Sequence, residues 1–242
     1  MSIQGWEPRY ARILEKFGYS RRQDEESARL LDAAIRADLS SGLRKIISKK
    51  PVIVIGAGPS ISRSLPVLRR HKGVAKIAAD SAVEFLVRNK IQPDVVVTDL
   101  DGDAKSLQEA SQKSIMVVHA HGDNMERIPM AEGFPKCVGT TQSRPFGKIS
   151  NFGGFTDGDR AVFLAHHFGA KKIVLLGMDF GGKIGRHSNT KRRDRPDKIR
   201  KLREAESLLA WLCTKNSEIY STSAIRGARK ITPGELDDII MT

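Results

Sequence analysis

Apolar positions along the chain change their period after Lys50. Before it, Leu31, Ala34, Ile35 and Leu39, followed by Leu43, Ile46 and Ile47, recur every three or four residues, which is the spacing of one helical face. Beyond it, short β-branched runs alternate with turns and helix-like segments. The runs Pro51–Ile55, Val74–Ala78, Asp94–Thr98, Ile115–His119 and Lys172–Gly177 predict strands, with weaker candidates at Lys136–Gly139 and Glu218–Ser221. These runs are apolar on both faces, so they suit a mostly parallel sheet covered by helices on both sides. Ala161, Leu164, Ala165 and Phe168 predict a helix over Asp157 to Phe168, and Leu202, Ala205, Leu209 and Leu212 predict another. The expected fold is α/β, a Rossmann-like sheet in one catalytic domain over residues 51–242, with residues 1–50 as a helical segment packed on it. Between the last two helices, Gly181 to Pro196 is rich in Gly, Lys and Arg and has no apolar period, which predicts a functional loop.

Composition narrows the classes. An apolar share of 40% over 242 residues is ample for a core. The longest apolar stretches, such as Ile173 to Leu176, fall far short of the ~20 residues of a membrane span. Met1 to Arg12 lacks the apolar centre of a secretory signal, so the expected location is the cytoplasm, with no membrane partner. Cys137 and Cys213 have no metal-ligand or disulfide spacing. The net charge of +13 would attract a polyanion, but the cations are not interleaved with aromatics as in a base-stacking platform. Phosphate-rich small substrates account for the charge at least as well, and a homo-oligomer is compatible with the sequence.

In a parallel sheet, ligands bind beyond the carboxyl ends of the strands, so the residues that follow each strand matter most. Gly56-Ala57-Gly58-Pro59-Ser60 follows the first and reads either as a phosphate cradle or as a tight turn, with Ser60 able to cap the next helix. With Ile at position 61, the GxGxxG dinucleotide fingerprint is incomplete. Asp80 follows the second strand. The third is followed by Asp99, Asp101 and Asp103, three carboxylates within five residues whose mutual repulsion calls for a cation. Asp103 suits a helix cap equally well. The fourth strand ends in His119-Ala120-His121-Gly122-Asp123-Asn124, with both histidines on one face; His119 reads as a core residue or a site residue. Without a nearby cysteine and with aspartates in excess, Mg²⁺ is the expected metal. Asn151 to Asp159 adds two phenylalanines and the carboxylates of Asp157 and Asp159, either helix N-terminal charges or a pocket wall. Gly177-Met178-Asp179-Phe180-Gly181 leads into the basic segment, where Lys183 and Arg186 are candidates to close over phosphate oxygens.

Five motifs occur in order: Val54 to Ser60, Pro93 to Asp103, His119 to Asn124, Asn151 to Ala161 and Gly177 to Gly181. On them the chain resembles the archaeal 6-hydroxymethyl-7,8-dihydropterin diphosphokinases, a family similar in its catalytic domain to thiamin diphosphokinases. The form Thr98-Asp99-Leu100-Asp101-Gly102-Asp103 favours the pterin enzymes over the thiamin ones. The resemblance implies transfer of a diphosphoryl group from ATP to a reduced pterin, releasing AMP, in the route to folate-type or methanopterin cofactors. It implies Mg²⁺ on Asp80, Asp99, Asp101 and Asp103, and ATP phosphates near Gly56, Gly58, Ser60, Thr98, Lys183 and Arg186. Asp101, Asp123 and Asp157 are the catalytic candidates. His121, Asn124, Asn151, Phe152 and Asp179, with Phe155, are the candidates for the pterin. A thiamin diphosphokinase and a non-catalytic ATP-sensing module are the competing readings.

Overall fold

Residues 3–180, 185 and 192–241 are described by the computed structural model of the chain. Three helices, α1 (Trp6–Phe17), α2 (Arg21–Ala34) and α3 (Ser40–Ile47), precede β1 (Pro51–Ile55). There follow α4 (Leu65–Arg70), β2 (Ala75–Ala79), α5 (Asp80–Arg88), β3 (Val95–Thr98), α6 (Ala104–Ser111) and β4 (Ile115–Ala120). A 3-10 helix (Gly122–Gly133) leads to β5 (Cys137–Thr141), β6 (Ile149–Ser150), α7 (Asp157–His167) and β7 (Lys172–Leu176). The remaining elements are α8 (Arg195–Cys213), β8 (Ile219–Ser221), β9 (Arg229–Lys230) and α9 (Leu236–Met241).

The strands form one sheet in the order β6-β5-β4-β3-β2-β1-β7-β8-β9, parallel at every pairing. The expected fold class is therefore observed. Pro51–Ile55 is a strand with the expected bounds, and the ends of the other expected strands differ by one or two residues, where polar turn residues such as Asp94 flank the apolar runs. The two-residue edge strands β6 and β9 are too short to carry a period, and such short edges offer little template for pairing with another chain.

Alternate strand residues feed two cores. Ile53 and Ile55 of β1 face one, with Ala28 and Leu31 of α2, Leu86 of α5 and Leu107 of α6. Val52 and Val54 face the other, with Trp6, Tyr10 and Ile13 of α1, Leu43 and Ile47 of α3, Phe163 of α7 and Leu209 of α8. The N-terminal helices thus cover both faces, α1 and α3 on one and α2 on the other. In α1 the buried residues sit at 6, 10 and 13, the spacing that puts one stripe against the sheet.

The expected loop from Gly181 to Pro196 is helical at its end, where a 3-10 turn (Arg192–Asp194) runs into α8 and Pro196 occupies the first helical turn that tolerates it. Lys183, Arg186, His187 and Lys191 lie outside the described residues. Among the described residues, no helix is long and apolar enough to cross a membrane.

Candidate active site

The sheet order reverses direction at β1, which has β2 on one side and β7 on the other. Such a switch point opens a crevice at the carboxyl edge. Two adjoining lobes fill it here, sharing Ser81, Thr156, Asp157 and Lys198.

The acidic lobe lies beyond β2, β3 and β4. Asp80 opens α5 directly from β2, Asp99 and Asp101 follow β3, and Asp157 is the first residue of α7. One carboxylate oxygen from each of these four falls within 4.8 Å of all the others. The turn that achieves this is tightly specified. Thr98 Oγ1 donates to Asp80 Oδ2 at 2.6 Å and accepts from the Leu100 amide at 2.8 Å, while the Gly102 amide donates to Asp80 Oδ2 at 3.1 Å. Leu100 takes φ of +68°, a left-handed conformation costly for a side-chain-bearing residue, and its buried side chain anchors it in the core. A Cβ at position 102 would overlap the Asp80 carboxylate, so only glycine fits.

These bonds use Asp80 Oδ2 and leave Asp80 Oδ1 buried without a hydrogen-bond partner; Asp157 Oδ1 is in the same condition, with the Arg160 Nη1 charge 3.5 Å away. Burial, reinforced by the Asp99 charge, pushes Asp80 up to about 7. The same two causes push Asp101 up to about 6 and Asp157 well above the carboxylate range despite Arg160. Burial acts to raise Asp99 too, but His121, whose Nε2 lies 3.4 Å from Asp99 Oδ2, outweighs it and holds the carboxyl below its usual range.

The glycine lobe lies between β1 and β7, lined by Gly56, Ala57, Gly58, Gly177, Met178 and Asp179. Its two loops touch through their backbones: the Gly58 amide donates to the Gly177 carbonyl at 2.7 Å, and a Cβ at Gly58 would come within 2.6 Å of that oxygen. Asp179 ties three segments together. Its Oδ2 accepts from the Ser60 amide at 2.8 Å and the Ser60 hydroxyl at 2.7 Å, and its Oδ1 accepts from Ser223 at 2.6 Å.

The structure sorts the sequence candidates accordingly. Asp80, Asp99, Asp101, Asp157 and His121 meet in the acidic lobe, and Gly56 and Gly58 line the glycine lobe. Asp103 does not join the cluster; its Oδ1 accepts from the amide and hydroxyl of Ser106 at 2.9 and 2.6 Å, capping α6. Asp157 takes the fourth place that Asp103 was expected to hold. Ser60 neither caps the turn after it nor faces a lobe with free donors, since both go to Asp179. Asn124 has its amide saturated, donating to the Asp99 and His119 carbonyls at 2.8 and 2.7 Å while accepting from the His121 amide at 3.0 Å. These bonds tie the ends of β3 and β4 together at the site. Asn151 is likewise committed to the carbonyls of Gln142 and Ser143. Phe152 is buried against His167 and Phe168, away from both lobes. Asp123 is exposed beside His121, outside the lining of either lobe. His119 is a core residue, its Nδ1 3.2 Å from Thr140 Oγ1, and burial keeps it neutral. Asp159 holds the start of α7 through the Phe155 and Thr156 amides, both at 2.7 Å.

Other lining residues escaped the sequence reading. Arg160, three residues after Asp157 on the same helical face, is 7% exposed and donates to Gln142 Oε1 at 3.2 Å. The lone arginine of α7, directly before its apolar run Ala161–Ala165, was the signal for it. Lys198 and Lys201, one turn apart on α8, and Tyr19, between α1 and α2, complete the wall of the acidic lobe. Only the fold brings them there.

Comparison with known proteins identifies the family. A family model described as 6-hydroxymethylpterin diphosphokinase MptE-like matches residues 29–185. A protein of Pyrococcus furiosus named 6-hydroxymethyl-7,8-dihydropterin pyrophosphokinase is 47% identical over 88% of this chain and 94% of its own. Proteins of the same name from Methanothermobacter thermautotrophicus and Methanocaldococcus jannaschii are 43% and 38% identical, covering 88% and 89% of this chain and 95% and 97% of theirs. Among solved structures, the MAf glycosyltransferase of Magnetospirillum magneticum aligns over 89% of this chain and 41% of its own, at 14% identity and a TM-score of 0.48. With nearly two thirds of its length matched by the family model and relatives sharing most of the remainder, the chain belongs to the MptE-like 6-hydroxymethylpterin diphosphokinase family.

Proposed function

We propose that the chain transfers the terminal diphosphoryl group of ATP to the hydroxymethyl oxygen of 6-hydroxymethyl-7,8-dihydropterin and releases AMP, in a route to folate-type or methanopterin cofactors. Family membership supports the reaction. The observation that carries the geometry is the convergence of four carboxylates, two of which bury an unpartnered oxygen.

That donor set fits Mg²⁺, a hard cation that takes oxygen ligands. Asp80, Asp99, Asp101 and Asp157 would hold it, and when bound it neutralises phosphate oxygens that would otherwise repel the attacking group. The remaining work falls to the protein. Thr98, Gly102, Asn124 and His121 fix the carboxylates before any ligand arrives, so no reorganisation is required during the reaction. The N-terminus of α7, at Thr156 to Gly158, lies between the two lobes, where helix amides favour phosphate. Lys198 and Lys201 face the same space with charges suited to phosphate oxygens. The glycine lobe, with backbone close to its surface, suits the nucleotide. Tyr19 and Phe155, which line the acidic lobe with their rings 6.3 Å apart, suit the flat pterin. Among the three carboxylates considered for the proton of the acceptor hydroxyl, Asp123 is outside the lobe and Asp157 faces Arg160. Asp101 lines the lobe, and we assign it the proton.

The experiment is an AMP-release assay of the purified protein with ATP and Mg²⁺, supplied separately with the reduced pterin and with thiamin. AMP should form only with the pterin. Release with thiamin alone would overturn the acceptor, and release with neither would leave an ATP-binding module without this reaction.

A further inference from the structure

The helices ahead of the sheet reach the acidic lobe through a continuous buried chain of polar groups. Asp24, on α2, is 2% exposed and accepts three hydrogen bonds. Its Oδ2 takes the Tyr10 hydroxyl at 2.7 Å and Gln142 Nε2 at 2.8 Å, and its Oδ1 takes the Gly122 amide at 2.9 Å. Because Gln142 Nε2 donates to Asp24, the Gln142 amide turns its nitrogen towards Asp24 and its oxygen away. That oxygen is what receives Arg160 Nη2 at 3.2 Å, and Arg160 Nη1 then stands 3.5 Å from Asp157 Oδ1. The backbone of Gln142 is pinned as well, its carbonyl accepting from Trp6 Nε1 at 2.9 Å. On the other branch, Gly122 adjoins His121, which faces Asp99.

We propose that Asp24 is a positioning residue for the diphosphoryl-transfer site, setting Arg160 against Asp157 through Gln142 and His121 against Asp99 through Gly122. The inference rests on the reaction proposed above for its kinetic consequence. Asp24 precedes the segment matched by the family model, residues 29–185, and its bonds to Tyr10, Gln142 and Gly122 make α1 and α2 part of the site's frame.

Asp24→Asn distinguishes this from a role in stability alone. An asparagine nitrogen can donate to Gln142 Oε1, inviting the Gln142 amide to turn over and present its own donors to Arg160. The guanidinium would be repelled and Asp157 would lose its counter-charge. Partners that orient metal-ligating residues are worth about 10–100-fold when removed, so kcat should fall at least about tenfold, while KM for ATP changes little. Binding of Mn²⁺ to the metal-free protein, measured by calorimetry as a probe of the carboxylates, should weaken by a similar factor. Leu31→Ala serves as the stability control, since it loosens α2 in the core without touching the partners of Asp24. It should lower Tm at least as much and leave kcat and Mn²⁺ affinity near wild type. If Asp24→Asn does not fold, Gln142→Leu breaks the same link and should give the same two losses. The proposal is overturned if the folded link variant keeps wild-type kcat and Mn²⁺ affinity, or if Leu31→Ala loses as much of both. Were the wild type to release no AMP with the pterin, the reaction would fall, while the Mn²⁺ comparison would still decide the role of Asp24.

Discussion

The two lobes of the crevice satisfy their polar groups in opposite ways. In the glycine lobe the protein completes itself: both oxygens of Asp179 are occupied by serine donors, and the loops meet backbone to backbone. In the acidic lobe it does not. All four buried side-chain atoms without a hydrogen-bond partner among the described residues, Asp80 Oδ1, Asp157 Oδ1, His119 Nε2 and Arg160 Nε, lie in or just behind it. Native interiors rarely leave such atoms unpaired, because each carries a desolvation penalty. The contrast separates a lobe whose contribution is shape from one whose contribution is unbalanced charge that a cation would complete.

The largest effects should therefore come from charge in one lobe and volume in the other, with opposite signs on stability. Asp80→Asn retains an oxygen for Thr98 and Gly102 and places an amide donor where the unpartnered oxygen faces other carboxylates. Turnover should drop by about 10²–10³-fold, on the scale of a lost electrostatic contributor at a transition state, while the Tm of the metal-free protein rises. Gly58→Ala drives a methyl group against the Gly177 carbonyl and the Asp179 carboxylate. It should destabilise by about 1–3 kcal/mol, as overpacking does, and raise KM for ATP. Kinetics and thermal melts on the two variants test the contrast directly. A loss of stability in Asp80→Asn would contradict the account of the acidic lobe.

A smaller effect concerns pH. Asp80 is raised to about 7 and Asp101 to about 6, so between the ordinary carboxylate range and neutrality the folded metal-free chain binds more protons at these two groups than the unfolded one. The contribution of these two carboxyls must then fall as pH rises through that window, opposed below about pH 6.5 by His119, His166 and His167, which burial holds below the usual imidazole range. Asp99, held below the usual range, works in the opposite sense only in stronger acid. Above the range where the histidines oppose it, from about pH 6.5 to about pH 8, the Tm of the metal-free protein should decrease, and saturating Mg²⁺ should remove most of the decrease, since binding to the folded state stabilises it. A profile indifferent to Mg²⁺ would separate the raised carboxyls from metal binding.

How much of this was legible in the sequence follows from how local each feature is. The strands were visible because a buried parallel sheet demands continuous apolar runs, and Asp80, Asp99 and Asp101 were visible because a strand end followed by acid is a local pattern. The separation of Asp103 from Asp101 was not. Both are aspartates one glycine apart, and only the backbone turn at Leu100 and the start of α6 send one to the cluster and the other to Ser106. Asn124, Asn151 and Phe152 were read as substrate contacts because polar and aromatic residues near glycines suit a pocket. Their bonds and packing partners, tens of residues distant in places, hold the backbone that shapes it. Lys198, Lys201, Tyr19 and Asp24 reach the site from elements far away in sequence, which no local spacing encodes.

The smallest effect is the one that tests this division within a single motif. If Asp103 serves only as the cap of α6, Asp103→Ala removes two acceptor contacts to Ser106 and costs about 1 kcal/mol, the usual worth of such a cap. Urea unfolding would register that cost as a lower midpoint with an unchanged slope. Mn²⁺ affinity and kcat should stay at wild-type values, because the carboxylate is turned towards the helix and away from the other four. The adjacent Asp101→Ala should show the reverse, losing metal affinity and turnover with little effect on the midpoint. Should both variants lose metal affinity alike, the motif acts as one ligand set and Asp103 belongs with the cluster after all.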